Sequence, residues 1–274
     1  MLYILIMKGD FTEADIKIEK ALSEDAVILA ELSKEAFHTD SEISGSGIFG
    51  GPPGYDSPEF QNWVMSILTY YKIIYEGEIV GGIFLNSRNA KHHILERIFV
   101  DPRYHNKGIA TKAMELIFKK YPSVVWTLGT PEWNLRTKHF YKKLGFKQIG
   151  WDDGDGDVDW RGIWYQRPIE KPTPSIQNIV DLKDGMNGVF VEGVIINIDP
   201  IRKVKSKKDG KELSVANGTL RDKSGEITLV LWNIKISQVK VGDKIRIEFG
   251  NVNSFHNKLQ LNIGYGRLIK LLKL

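Results

Sequence analysis

The 274-residue chain contains no cysteine, which excludes a thiol nucleophile, a disulfide framework and thiolate metal sites. Long apolar runs are also missing: Leu2–Met7 and Gly266–Leu274 are apolar but fall far below the roughly 20 residues that span a bilayer. No membrane partner is therefore expected, and the expected location is the cytoplasm. Leu2–Met7 lacks the leading positive charges of a signal peptide and reads as an edge strand, or as a leader to a start at Met7. The terminal run is expected to pack against its own domain or a neighbouring one. The six histidines show no metal-ligand spacing such as His-Glu-x-x-His, so no metal is expected.

What is present is concentrated between Ile98 and Ile117, where a short apolar strand meets an amphipathic helix through a loop. Pro102 cannot donate to a ladder and ends the strand. Gly108 lets the backbone approach a ligand where the helix begins. The first-turn N–H groups have no intrahelical partner, and the helix dipole adds positive charge beside them. Ile109, Ala110, Ala113, Met114, Ile117 and Phe118 follow at helical spacing, with Lys112, Glu115, Lys119 and Lys120 facing outward. The pattern predicts strand, phosphate-binding loop, helix.

His105-Asn-Lys-Gly-Ile-Ala110 resembles the Gln/Arg-x-x-Gly-x-Gly/Ala pyrophosphate loop of the GNAT superfamily of N-acetyltransferases. His105 stands where Gln or Arg is usual, but backbone amides rather than that side chain hold the phosphates. The resemblance implies acetyl-coenzyme A as cofactor, held along Ile98, Phe99, Val100, His105, Asn106, Lys107, Gly108, Ile109, Ala110 and Thr111. Asn134-Leu-Arg-Thr-Lys-His-Phe-Tyr-Lys-Lys-Leu-Gly-Phe146 looks like the second signature of the family. Asn134 and Tyr141 lie two helical turns apart, which would point both side chains the same way. The resemblance implies that Asn134 contacts the pantetheine arm and that Tyr141 protonates the departing thiolate.

The first 168 residues fit an α/β (α+β) GNAT fold, a mixed sheet flanked by helices. Strands are expected at Ile16–Ile18, Tyr71–Tyr75, Ile79–Leu85, His93–Val100, Val124–Leu128 and Gly162–Gln166, the last closing the sheet, with a first helix over Glu24–Phe37. A Gly in Glu76-Gly77-Glu78 marks a hairpin turn. Gly45-Ser-Gly-Ile-Phe-Gly50 matches a dinucleotide fingerprint but neither follows a strand nor opens a helix. Residues 38–58 therefore read as a loop. By resemblance it borders the acceptor pocket, which makes His38, Asp40, Tyr55 and Asp56 candidate acceptor contacts. The acidic run Asp152–Asp159 reads as a solvated hairpin tip; it lacks the ligands of a calcium loop.

Transfer to an amine requires a base, because an amine of pKa about 10.4 is neutral in roughly one molecule in 2,500 at pH 7, a deficit of about 4.6 kcal/mol. Glu96 alternates with Ile98 and Val100 on the strand entering the cradle and is the candidate. With no thiol available, transfer would be direct, in a ternary complex. Lysine side chains, protein N-termini and small amines such as polyamines all fit as acceptors.

Arg167–Pro174 carries three prolines and reads as an extended linker, residues 169–175, before a second domain over 176–274. Residues 1–168 hold 20 Lys/Arg and 23 Asp/Glu, net −3, and residues 169–274 hold 18 and 11, net +7. A basic second domain suggests a polyanionic partner for that domain. Its alternating segments, Val189–Ile196, Leu213–Leu220, Glu226–Trp232, Lys244–Phe249 and Lys258–Asn262, suit an all-β five-stranded OB-fold barrel. They resemble the small single-stranded DNA-binding OB proteins of archaea and eukaryotes. That resemblance implies binding of single-stranded DNA or RNA through Arg202, Lys203, Lys205, Lys207 and Lys208 of the first long loop, with Trp232 and Phe255 as stacking platforms. A third aromatic, expected after the fourth strand, is replaced by Asn251 and Val252.

The reading is an N-acetyltransferase whose basic OB domain recruits it to nucleic acid or to a nucleic-acid-bound protein. Two alternatives stand beside it. In one the OB domain is a homodimer contact or a lid for an enzyme of small amines; in the other a degenerate GNAT domain only binds.

Overall fold

The computed structural model describes residues 16–44, 50–122, 125–154, 161–168, 175–206, 209–264 and 266–272. Leu2–Met7, most of the expected linker, Asp155–Asp159, Lys207 and Lys208 lie outside them. The chain divides into two compact units, Met1–Ser87 with Leu95–Ser123, and Arg88–Ile94 with Val124–Leu274.

In the first unit β1 (Ile16–Lys20) pairs antiparallel with β2 (Thr69–Tyr75), from Ile16 opposite Tyr75 to Lys20 opposite Tyr71. β2 turns into β3 (Glu78–Asn89) through Glu76 and Gly77, at φ 52° and 86°. Two successive positive φ values are what a right-twisted two-residue hairpin needs. β4 (His92–Val100) contributes its second half to this unit and leads to α3 (Ile109–Lys120), which buries Ile109, Ala113, Met114 and Ile117. The core joins Leu29, Leu32 and Ala36 of α1 (Ala26–Ser44) to Val64 of α2 (Pro58–Ile67), Tyr70, Phe84 and Phe99. A Cβ on Gly81 would stand 2.2 Å from the Phe99 carbonyl oxygen, so β3 and β4 touch there by backbone alone.

α1 runs seven residues beyond the expected Phe37, so residues 38–44 are helix rather than loop. No Gly or Pro interrupts the chain between Ala26 and Gly45, and polar residues alone do not stop a helix. α2 opens on Ser57, whose Oγ accepts from the Phe60 N–H at 3.1 Å, with Pro58 in the first turn.

In the second unit β5 (Val125–Pro131) pairs parallel with His92–Ile94 of β4 and antiparallel with β7 (Gly162–Arg167). β7 in turn pairs with β6 (Lys147–Asp152). β7 does not close the sheet: it lies inside it, between β5 and β6. Five of its six residues are buried, as in a strand covered on both faces, whereas β6 begins with two exposed residues. α4 (Leu135–Lys143) lies between β5 and β6 in the chain.

The rest of this unit holds β8 (Asn187–Ile198), β9 (Arg202–Lys205), β10 (Glu212–Arg221), β11 (Glu226–Trp232), the single turn α5 (Ile234–Ser237), β12 (Lys244–Phe255), β13 (Lys258–Asn262) and β14 (Arg267–Leu271). Pairings run β8–β10–β11–β13–β12 and return to β8, an OB-fold circuit in which only β11 and β13 are parallel. Ile227, Leu229 and Leu231 alternate into its core with Val191, Ile195, Ile247 and Leu261. β12 is six residues longer than expected. Phe249 at φ 57° forms a bulge beside Gly250, after which the strand resumes. The terminal run becomes β14, hydrogen-bonded to β12 on one side and to β6 on the other.

Candidate active site and nucleic-acid groove

The loop between β4 and α3 is built around Asp101. Its carboxylate accepts from the Arg103 backbone N–H at 2.9 Å and from the Arg103 guanidinium at 2.6–3.2 Å. Burial pushes its pKa up, but the hydrogen bonds and charge of Arg103 outweigh this and hold the carboxyl below its ordinary range. His105 turns its ring back on the strand, with Nε2 2.7 Å from the Val100 carbonyl. The side chain thus ties the loop to the end of β4. Asn106 at φ 61° and Gly108 at φ 78° bend the chain into α3, where Gly108 is the N-cap and supplies no capping side chain. No acidic residue occupies the first turn, and the space where a Gly108 Cβ would stand is open for 4 Å. The N–H groups of Ile109, Ala110 and Thr111 therefore sit at the positive end of α3 with no intrahelical acceptor. This fits the diphosphate of acetyl-coenzyme A.

Of the strand residues, Phe99 and Val100 bury their side chains in the core, so they can meet a ligand only through backbone. Ile98 and Glu96 are half-buried, on the strand face opposite Arg97 and Phe99. Lys107 lies 5.0 Å over the Tyr104 ring.

Among the candidate acceptor contacts, His38 Nε2 and the Tyr55 hydroxyl lie 2.8 Å apart. Burial, then the Asp56 charge, raise the Tyr55 pKa. Asp40 is buried within α1 and Asp56 is exposed, so the four do not form one face. A residue beyond the sequence reading sits in the same unit: the Arg97 guanidinium lies 5.5, 5.4 and 5.0 Å over the rings of Phe37, Phe60 and Phe84. Its Nη1 is buried without a hydrogen-bond partner, and its pKa is lowered by burial to about 10, so it stays charged at neutral pH. The only signal was a charged residue on the inward side of the alternating run Ile94–Val100.

In the second unit Asn134 is not on the helix with Tyr141. It is the N-cap of α4, at φ −80° and ψ 86°, and its Oδ1 accepts from the Thr137 N–H at 3.0 Å. Asparagine is among the best N-caps, and that preference decides its conformation. Both residues are buried, Tyr141 with its ring 6.1 Å from Phe146 and 6.5 Å from Tyr165.

On the OB fold, a groove of about 330 Å³ is lined by Asn217, Thr219, Thr228, Lys258, Gln260 and the Phe255-His256 turn. Phe255 is 56% exposed. Trp232, 40% exposed, shares the outward face of β11 with Thr228 but stands four residues along, roughly 13 Å from the groove. Arg202, Lys203 and Lys205 are exposed on β9, with Lys203 3.1 Å from Glu212.

Residues 37–146 match the family model described as "Acetyltransferase (GNAT) family", and residues 189–269 match "OB-fold nucleic acid binding domain". Among solved structures, the chain is similar to the PaiA N-acetyltransferase of Thermoplasma acidophilum, solved with coenzyme A, at 22% identity and a TM-score of 0.43, covering 54% of this chain and 97% of that one. An OB domain from the same organism matches at 24% identity and 0.31, covering 36% of this chain and 90% of that one. A replication factor A related protein of Methanobacterium thermoautotrophicum matches at 25% and 0.31, over 37% and 96%. No curated protein matches the chain.

Proposed function

We propose that this chain, a GNAT acetyltransferase domain joined to an OB-fold domain, moves the acetyl group of acetyl-coenzyme A to a primary amine and uses its OB groove to bring that reaction to single-stranded nucleic acid or its bound proteins. The observation that carries the enzymatic part is Gly108: at φ 78° it opens α3 with uncapped first-turn amides, directly after a strand to which His105 is anchored. Backbone N–H groups of residues 106–111 would hold the pyrophosphate, and Asn134 would meet the pantetheine arm. When bound, acetyl-coenzyme A supplies an activated acetyl thioester.

Glu96 accepts a proton from the incoming ammonium, directly or through water, which restores the lone pair. With the nitrogen–carbon bond formed and the carbon–sulfur bond broken, Tyr141 would give its proton to the leaving thiolate and regain one, through water, from the nitrogen as it loses its second proton to become the amide. The product is an amide with one positive charge fewer than the acceptor. Among the described residues no helix is long and apolar enough to cross a membrane. An enzyme working on acetyl-coenzyme A beside nucleic acid belongs in the cytoplasm.

A test pairs two assays. Thiol release from acetyl-coenzyme A is followed with a lysine peptide, a free N-terminal peptide and spermidine as acceptors. Glu96→Gln should lose most rate at low pH, where the amine is fully protonated; a constant ratio to wild type across pH rejects Glu96 as base. Labelled single-stranded DNA and RNA are titrated in parallel at two salt concentrations. Contact with Z phosphates gives a log–log slope near −0.7Z, whereas absence of binding at any salt rejects recruitment. A second reading, in which the OB fold chiefly supports the enzyme, is favoured by one observation: β14 pairs directly with β6.

A further inference from the structure

The second unit contains a buried polar cluster that neither the cofactor cradle nor the groove uses. Arg246 of β12 is 3% exposed and places Nε and Nη2 2.9 and 2.6 Å from one oxygen of Glu192 on β8, and Nη1 2.6 Å from Oε1 of Gln166 on β7. Glu248, two residues along β12 and fully buried, lies 3.5 Å from Arg246 and accepts from the Thr127 hydroxyl of β5 at 3.3 Å. Thr127 is 3.0 Å from His92 Nε2, and His92 Nδ1 is 2.6 Å from the Ser175 hydroxyl. The imidazole stacks on Phe190 of β8 at 4.4 Å. Hydrogen bonds and one ion pair, Arg246–Glu248, thus link the OB strands β8 and β12 with β4, β5 and β7.

The second join is backbone. Beyond its pairing with β12, β14 sets Lys270 opposite Trp151 and Leu271 opposite Gly150, and the Leu272 N–H donates to Ile149 O at 2.8 Å. Lys270 also pairs with Asp153, Gln238 donates to the Gly154 carbonyl, and the Arg267 guanidinium lies 5.3 Å over the Trp164 ring. Charges removed from water this completely are tolerated only while every partner stays in place. A domain that swung on a tether would have to rehydrate Arg246 and Glu248 at each excursion.

From Thr127 the connection continues toward the chemistry. Three residues along β5, Thr130 Oγ1 lies 2.6 Å from Thr137 Oγ1 in the first turn of α4, the helix that carries Tyr141. We infer that the OB fold is a constitutive part of the enzyme's second half, with Arg246 and Glu248 as positioning residues that hold β5, and through it α4 and Tyr141, for acetyl transfer. The transfer role of Tyr141 is taken from the proposed function; the structural coupling does not depend on it.

The test uses the full chain and the variants Arg246→Met and Glu248→Gln, the latter in case the first does not fold. Amide hydrogen exchange is read over residues 125–143 and 187–271, beside kcat and KM for acetyl-coenzyme A across pH. Arg246→Met should speed exchange in residues 125–143 at least tenfold at a temperature where far-ultraviolet circular dichroism is native. It should lower kcat at least tenfold, change KM less than threefold and move the alkaline limb of kcat; simple loss of folded protein would scale the profile without moving it. Glu248→Gln, which keeps an acceptor for Thr127, should act in the same direction more weakly. Faster exchange confined to residues 187–271 overturns the inference. Faster exchange in residues 125–143 with kcat unchanged upholds the coupling and overturns the role of Tyr141 instead.

Discussion

A single methyl group tests the join between the two strands. A Cβ on Gly150 of β6 would stand 2.0 Å from the Lys270 carbonyl oxygen and 2.9 Å from Ile269 Cγ2. Real Cβ atoms essentially never come within 3.0 Å of such atoms, so Gly150→Ala must push β14 back by 3.0 − 2.0, or 1.0 Å at least. The obstacle is backbone and cannot rotate away. The Leu272–Ile149 bond, 2.8 Å long, would stretch beyond hydrogen-bonding range, together with the neighbouring ladder bonds. Two to three bonds at about 1 kcal/mol each, less roughly 0.5–1 kcal/mol regained from a stiffer unfolded chain, leaves a net cost of about 2 kcal/mol. For a unit of this size that corresponds to a fall in Tm of roughly 4–8 °C. The assay is thermal unfolding of the full chain, with hydrogen exchange over residues 147–152. Gly210→Ala is the control: it meets nothing within 4 Å and carries only the strain of φ 71°, so exchange over residues 147–152 should stay unchanged. A Gly150→Ala protein that melts within about 1 °C of wild type, with residues 147–152 still protected, would refute the join and the reasoning built on it.

Tyr141→Phe should lower kcat at least tenfold, the low end for loss of a general acid being about a hundredfold when proton transfer limits the rate. Coenzyme A affinity by calorimetry should stay within about twofold, because the phosphate cradle is untouched. Acid should weaken the fold through His92, whose pKa is pushed down to about 3 by burial first and then by the Arg246 charge. An unfolded histidine takes up its proton below about pH 6.5 while the buried ring stays neutral, so this contribution is full above pH 6.5 and is lost as pH falls. The loss is about 1.4 kcal/mol per pH unit, or roughly 2 kcal/mol between pH 6.5 and 5. Glu248 has the opposite sign, since burial raises its pKa and its contribution weakens as pH rises. Urea titrations at pH 7 and 5 should show His92→Asn losing less stability between the two than wild type does, and equal losses would rule the buried imidazole out. Phe255→Ala should weaken single-strand binding by about 1–3 kcal/mol, roughly 5- to 150-fold, if one base stacks there; unchanged affinity in a fluorescence titration would move the stacking site elsewhere.

Local signals in the sequence were legible where chemistry and backbone coincide. Pro102 and Gly108 mark the strand end and helix start, Gly77 marks a hairpin, and alternation in Glu226–Trp232 identifies a strand with its core face. Asn134 misled because periodicity counts residues and takes no account of a cap, whose side chain is committed to a backbone N–H. The place of β7 inside the sheet and the second partner of β14 were not legible, since each rests on pairing between distant segments. Lys244-Ile-Arg-Ile-Glu-Phe249 puts Arg246 and Glu248 on one strand face, and a charged face is commonly the wet one. Both are instead buried, because the surface covering them comes from far earlier in the chain. Arg97 was missed for a related reason: alternation placed it inward, but the three rings that receive it come from three different elements.

The pairing of β6 with β14 also sets an order of events during synthesis. β6 ends at Asp152 and β14 at Leu271, so 271 − 152, or 119 residues, are translated after the strand that awaits its neighbour. At about 5–20 residues per second, that edge stands open on the ribosome for roughly 6–24 s. An uncovered strand edge invites pairing with other chains, and the exposed Lys147 and Gln148 at its start discourage it. A chain released before Leu271 would carry Tyr141 and the Gly108 loop already translated but with that edge still open. The covering of the β6 edge thus certifies that the OB fold has been made.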